Sequence, residues 1–257
     1  MTVIYPSPIS GLIRSRRLGL SLGINLMPPD GKCCSFDCLY CECGFNHDFI
    51  PHHRRPMREE VASALEEKLK ELREQDITPD VLTFSGNGEP TLHPQFADII
   101  DDTITLRNRH LPSAKVSVLT NATQILRQPI FDALCRVDNN MCKLDTVSPE
   151  YIKLVDRPNI NYDVAAIVER LHEFGKRCVI QTMFMQGEYE GVPTSNISDD
   201  FVLPWLDNIK YISPREVMIY TIDRETPAKG LLKASHEHLD SIQARVKQLG
   251  IPCKVAY

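Results

Sequence analysis

Two hydrophobic periods take turns along this chain, one suited to helices and one to strands. Over 58–75, Val61, Leu65, Leu69 and Leu72 recur at helical spacing among Glu, Lys and Arg, which predicts an amphipathic helix with one buried stripe. Phe96, Ile99, Ile100 and Ile104 predict a second helix, and 125–135 a third. Val164, Ile167, Val168 and Leu171 place a fourth over 164–174, and further helices are expected over 201–209 and 238–249. Between the helices stand short runs rich in apolar and β-branched residues, at 19–26, 80–84, 115–119, 141–144, 178–185 and 217–220. The run at 141–144 is mixed in polarity and carries the weakest strand signal of the six.

Six strand–helix units in series predict an α/β fold of parallel strands joined by right-handed crossovers. Periodicity alone leaves open whether the sheet is doubly wound or a partial barrel. Either arrangement gathers its active residues at the C-terminal ends of the strands. No internal repeat or Gly/Ser-rich linker interrupts the 257 residues, so one domain is expected over 1–257. Its core would span about 19–222, followed by a C-terminal helix and tail over 235–257.

The formal net charge of −5 provides no global field toward nucleic acid or anionic lipid. No apolar run approaches the roughly 18 residues that span a bilayer. Residues 1–8 lack the charged-then-apolar pattern of a signal peptide. A cytoplasmic protein without a membrane partner is therefore expected. Of nine cysteines, five fall between Cys33 and Cys43. In a reducing compartment so tight a cluster reads as metal ligands rather than disulfides.

Within that cluster Cys34, Cys38 and Cys41 show the spacing C-x3-C-x2-C. Three thiolates on one short loop suit three irons of a cubane cluster and leave the fourth iron open to another ligand. Zinc is the competing reading, with the α/β body as an interaction scaffold. Structural zinc, however, usually wants four ligands in two separated pairs, and no second pair follows. Cys33 and Cys43 stand outside the ligand set, as neighbouring or exposed thiols. Cys135, Cys142, Cys178 and Cys253 are too scattered for a second cluster, and Cys142 and Cys178 fit the role of small buried apolar residues.

With Tyr40 directly before its last cysteine, the loop resembles the signature of the radical S-adenosylmethionine (SAM) superfamily. The resemblance implies a partial (β/α)6 TIM-like barrel with a [4Fe-4S] cluster and SAM at the C-terminal ends of the strands. It implies Cys34, Cys38 and Cys41 as iron ligands and Tyr40 as an adenine contact. Residues 85–94 read SGNGEPTLHP at the end of the second expected strand. They resemble the glycine-rich turn that holds the methionine ammonium in that superfamily, here with an asparagine between the glycines. Gly86, Gly88, Glu89 and Pro90 are carried over on that basis, the glycines for close backbone approach and Glu89 as a negative acceptor. His93 is read as a cap or a solvent-facing residue.

At the ends of the third and fourth strands, Asn121 and Asp145 are the candidates for the ribose and methionine carboxylate. Turn and cap chemistry is the plain alternative for both. Gln181 falls inside the fifth strand, where facing the barrel interior and serving as a satisfied core amide are equally open readings. Tyr220, Asp223 and Arg224 follow the sixth and are placed on the substrate side, with no assigned reaction role.

The run Ser15-Arg16-Arg17-Leu18-Gly19, with Ser21, Leu22, Gly23 and Asn25, narrows the resemblance to one branch. That branch includes the tRNA wyosine-synthase-like proteins and many short bacterial relatives. The flavodoxin domain found in some wyosine synthases is missing, and nothing resembles a dedicated RNA-binding module. Arg14, Arg16 and Arg17, with His52, His53, Arg54, Arg55 and Arg58, are candidates to flank the cluster mouth and bind phosphate, with solvated surface as the plain alternative for such charged runs. The implied activity is one-electron reductive cleavage of SAM, giving a 5′-deoxyadenosyl radical that abstracts hydrogen from a substrate. Flavodoxin or ferredoxin would donate the electron, and the substrate is a small molecule, protein or RNA. An activase that places a radical on a protein partner is the other enzymatic reading.

Overall fold

A computed structural model describes residues 2–257. Along the chain run β1 (Ile9–Ser15), β2 (Gly19–Ile24), α1 (Arg58–Glu74), β3 (Val81–Phe84) and α2 (Phe96–His110). Next come β4 (Lys115–Thr120), α3 (Gln128–Arg136), β5 (Asn139–Lys143) and the short α4 (Pro149–Tyr151), which continues into a π-helical turn at Ile152–Asp156. α5 (Val164–Phe174), β6 (Cys178–Met183), β7 (Met185–Tyr189), β8 (Val192–Pro193) and α6 (Asp199–Ile212) follow. β9 (Glu216–Tyr220), β10 (Leu231–Lys233), α7 (His236–Gln248) and β11 (Cys253–Ala256) complete the chain.

The main sheet has eight strands in the order β1-β2-β3-β4-β5-β6-β9-β11, and every pairing is parallel except that of β1 with β2. It curls into a half barrel with helices on its outer face. Each expected strand is present at its predicted place, and so is each expected helix. β3 and β6 are buried along their whole length, as strands covered on both faces must be. On α1 the stripe is dry: Leu65 and Leu69 are 0% exposed, and Val61 and Leu72 1%. Such burial contributes about 1.5–3 kcal/mol per side chain relative to exposure. The Glu60 carboxylate accepts the Met57 backbone N–H at 2.7 Å and fixes where α1 begins.

Three features depart from expectation. The antiparallel edge strand β1 precedes the first expected strand. The predicted strand over 178–185 divides at Phe184, and β7 leaves the barrel to pair with β8 and β10 in a three-stranded sheet. The segment expected as a tail forms β11, parallel to β9, so seven parallel strands stand where six were expected. Among the described residues no helix is long and apolar enough to cross a membrane.

Candidate active site

The chain leaves β2 at its C-terminal end and forms a long loop that returns only at α1. Three other segments hold this loop. Cys33 pairs with Gly88 in a parallel bridge, donating to the Asn87 carbonyl at 2.9 Å and accepting from Glu89 N at 3.1 Å. Asp37 N and Leu39 N donate to the Asp156 and Val155 carbonyls, each at 2.9 Å. The Asn159 side chain donates to the Cys34 carbonyl at 2.9 Å. Cys34, Cys38 and Cys41 are thereby brought together at the top of the half barrel, all three partly exposed.

Among the described residues no three His, Cys, Asp or Glu side chains are grouped so as to hold one metal ion. A cubane asks something different of its ligands, since each thiolate takes its own iron. Burial pushes the Cys34 thiol up to about 12 and Cys38 well above the ordinary thiol range. The Cys43 thiol beside Cys41 lowers the latter's pKa, against burial and with help from Lys32. Lys32 is itself buried, donating to the Gly44 carbonyl at 2.6 Å, and its charge reaches all three sulfurs. Iron would displace the thiol protons, and one buried ammonium stands ready to offset part of the negative charge that results. The donor set fits a three-cysteine cluster.

Cys43 is buried, its thiol 3.3 Å from the Gly86 carbonyl, so it is not an exposed thiol. Cys33 accepts from Arg55 at 2.8 Å.

The glycine-rich turn lies against this loop. Gly86 and Gly88 have φ of +120° and +132°, which glycine tolerates far better than any other residue. Asn87 is fully buried, and its side chain accepts from Tyr5 N at 2.7 Å and donates to the Tyr5 and Pro28 carbonyls at 2.8 and 2.9 Å. The asparagine between the glycines thus straps the N-terminal segment to the turn. Glu89 is buried as well. One oxygen accepts from Thr91 N, Thr91 Oγ1 and Thr120 Oγ1, and the other from Asn121 N at 2.6 Å. Burial raises its pKa, and these hydrogen bonds oppose the rise. Pro90 opens a 3-10 turn for which Glu89 is the N-cap. His93 does not face solvent: it is 2% exposed, with Nε2 2.8 Å from the Pro56 carbonyl.

Asn121 reaches the cysteine loop directly, donating to Ser35 Oγ at 3.0 Å and lying 3.6 Å from Cys34 Sγ. Asp145 sits at the end of β5, accepts from Met183 N at 2.9 Å, and meets both Tyr40 OH and Lys143 Nζ with its other oxygen. Lys143 Nζ also pairs with Asp156 at 2.9 Å, and Asp156 lies 3.8 Å from Cys38 Sγ. Burial drives the Asp156 carboxyl above its ordinary range while Lys143 pulls it back. Sequence reasoning gave neither Lys143 nor Asp156 a site role. Lys143 belongs to a strand of weak signal, and Asp156 to a π-turn without a sequence signature.

A cavity of about 450 Å³ opens beside these groups, lined by Tyr40, Cys41, Cys43, Ser85 and Gly86 together with Arg16, Arg17, Tyr220, Asp223 and Arg224. Its size falls within the roughly 300–1,000 Å³ of small-molecule sites. Arg14 lines it too, so the three N-terminal arginines stand where expected. The basic residues at 52–58 do not. His53 pairs with Asp30, Arg54 with Glu60 and Arg58 with Asp102, while Arg55 donates to the Leu92 carbonyl. None of them lines the cavity, and of these residues only Arg55, which also donates to Cys33 Sγ, reaches the cysteines. Gln181 is 5% exposed and accepts a hydrogen bond from Arg17.

Comparison with known proteins bears on the family and the fold. A UPF0026 protein of Helicobacter pylori (strain J99) is 28% identical over 226 residues, covering 86% of this chain and 68% of its own. The crystal structure of a radical SAM methyltransferase from Sphaerobacter thermophilus superposes with a TM-score of 0.69 at 16% identity, over 96% of this chain and 68% of that one. Archaeal TYW1 superposes with a TM-score of 0.53 at 12% identity, over 89% of this chain and 71% of that one. At such identities the structural likeness speaks for the fold alone. The family model described as the Radical SAM superfamily matches residues 29–191, from the start of the cysteine loop through the barrel as far as the turn after β7. By that match over most of its length, the chain belongs to the radical SAM superfamily.

Proposed function

We propose that this chain is an enzyme that cleaves SAM reductively at a [4Fe-4S] cluster and abstracts hydrogen from a substrate seated in the cavity. One observation carries the reading. The cysteine loop, the glycine-rich turn and the end of β4 lie far apart in sequence, yet join through the Cys33–Gly88 bridge and the Asn121–Cys34 contact beside a small-molecule cavity. Supplied with an electron, the cluster and bound SAM provide the radical chemistry; the protein supplies position, electrostatics and shelter from water.

Cys34, Cys38 and Cys41 would each hold one iron, leaving the fourth for SAM. Tyr40, on the cavity wall, would lie against the adenine, with its hydroxyl fixed by Asp145. The Gly86–Pro90 turn would receive the methionine ammonium at the bare backbone of its glycines. Glu89, whose oxygens already meet four donors, would contribute its charge and the shape of the turn. Asn121, tied to Ser35, holds the end of β4 against the cysteine loop, and Asp145 orients Tyr40 and Lys143. The electron would come from an external donor of the flavodoxin or ferredoxin kind.

The test is anaerobic reconstitution with iron and sulfide, followed by dithionite and SAM. A brown protein with about four irons per chain that releases 5′-deoxyadenosine is expected. Cys38→Ala should lose both iron and product. A well-loaded sample holding zinc and no iron overturns the proposal, as does product formation by Cys38→Ala.

A further inference from the structure

Two of the arginines lining the cavity have no carboxylate partner among the described residues, the exposed Arg14 and the half-buried Arg17. Arg16 pairs with Asp223 at 3.1 Å, and Arg224 with Glu42 at 2.6 Å. Deeper in, the Lys143 ammonium is met by Asp145 and Asp156. The half-buried Arg17 donates instead to Gln181 Oε1, and its guanidinium lies 4.5 Å from the centre of the Tyr220 ring. Both partners are neutral, and among the described residues no carboxylate pairs with it. Unlike the exposed Arg14, this guanidinium is held in place by two side chains and still has its charge free to meet an anion in the cavity.

Its setting is built to present it. Gln181 is 5% exposed and donates its own amide to the Met141 carbonyl at 3.4 Å, which leaves Oε1 directed at Arg17. Tyr220 supplies a ring face on which a planar guanidinium stacks. These holders stand on β6 and β9, across the half barrel from the glycine-rich turn after β3. The planar fork of arginine suits a carboxylate or a phosphate, which it meets with two parallel hydrogen bonds.

We propose that Arg17, oriented by Gln181 and Tyr220, binds a carboxylate or phosphate group of the substrate. This deepens the function proposed above and rests on SAM occupying the part of the cavity lined by Tyr40 and the glycine-rich turn. The substrate is then a small anionic molecule whose charged end lies against β6 and β9 and whose remainder extends toward the cluster. The carboxylate of SAM is the other possible source of such an anion, and the experiment separates the two.

Pyrophosphate and malonate serve as probes, titrated by calorimetry against the purified chain before and after anaerobic loading with iron and sulfide. At least one probe is expected to bind the wild type. Arg17→Gln should weaken that binding by about tenfold or more, the loss of one charge-assisted pair. Arg17→Lys keeps the charge without the fork and should fall between the two. Arg136→Gln, at an exposed site paired with Asp101, should bind the probe as the wild type does. SAM binding to the loaded protein, followed by equilibrium dialysis, should fall by less than about threefold in Arg17→Gln.

Failure of both probes to bind the wild type overturns the proposal, and so does undiminished binding by Arg17→Gln. Loss of SAM in step with the probes also overturns it, because Arg17 would then serve SAM itself. A chain that takes up no iron defeats the function proposed above, whereas the titration of the unloaded chain still reports on the anion site.

Discussion

Gly88 approaches Cys33 so closely that a Cβ added to it would stand 1.9 Å from the Cys33 carbonyl oxygen. That atom is backbone and cannot swing aside, and the positive φ at Gly88 adds strain to any substitution. Gly88→Ala should therefore cost about 1–3 kcal/mol from backbone strain alone. It should also push the cysteine loop off the turn and lower iron loading, since Cys34 follows directly. Chemical denaturation and iron content check the two effects. Gly250→Ala is the control, because φ there is +75° but nothing lies within 4 Å of the added atom; it should lose stability and keep its iron. Full loading in Gly88→Ala would show that the bridge does not position the ligands.

Glu89 ties the end of β3 to the end of β4 through four donors shared between two oxygens. An amide in its place must turn its NH2 toward either the three donors at one oxygen or Asn121 N at the other. Glu89→Gln should thus leave at least one buried donor unmet, at about 1–3 kcal/mol. The urea midpoint should fall with the slope of the transition unchanged. A midpoint equal to that of the wild type would mean that the turn is held by other contacts.

The half barrel was legible because burial on both faces makes β3 and β6 short runs rich in apolar residues and leaves a clean stripe on α1. β1 escaped notice because Gly11, Arg14 and two serines break any alternation in a strand of which no position is fully buried. β11 is four residues long and follows a helix that already closed the pattern. At the site, the cysteine spacing and the glycine-rich turn are local in sequence and could be read directly. The partners that complete it come from other segments: Asn87 to Tyr5, Lys143 to Asp156, Arg17 to Gln181. No spacing rule links such residues, since only the folded sheet brings them together. The basic run at 52–58 misled for the complementary reason, because its carboxylate partners Asp30 and Asp102 lie well outside it.

His93 should make stability depend on pH. Its Nδ1 accepts from Gln95 N at 3.2 Å and so carries no proton, which leaves Nε2–H to donate to the Pro56 carbonyl at 2.8 Å. Protonation would set a second N–H against the Gln95 N–H. Burial accordingly lowers the folded-state pKa, with the nearby Arg55 charge adding to it. For a base lowered in this way the unfolded chain binds the proton first. Stability is therefore full above the unfolded value of about 6.5 and declines as pH falls below it. His93→Asn, although less stable at pH 7, should show a flatter profile between about pH 7 and 5. Urea midpoints across that range provide the check, and parallel profiles for the two proteins would remove His93 as the cause.

Lys143 is the one ammonium shared by two buried carboxylates, its side chain 12% exposed against 1% for Asp145 and 4% for Asp156. Removing one member of a buried ionic group leaves the rest uncompensated, which typically costs about 3–5 kcal/mol. Lys143→Met should fall in that range and should also loosen Tyr40, whose hydroxyl contacts both Lys143 and Asp145. The Asp156→Asn change, destabilising when made alone in the wild type, should recover part of the loss when made in Lys143→Met, because one stranded charge is then gone. That opposite sign is what a double-mutant cycle measures. If Lys143→Met costs less than about 1 kcal/mol, the group behaves as a solvated surface pair, and Lys143 would not be what holds Tyr40 and Asp145 in place at the end of β5.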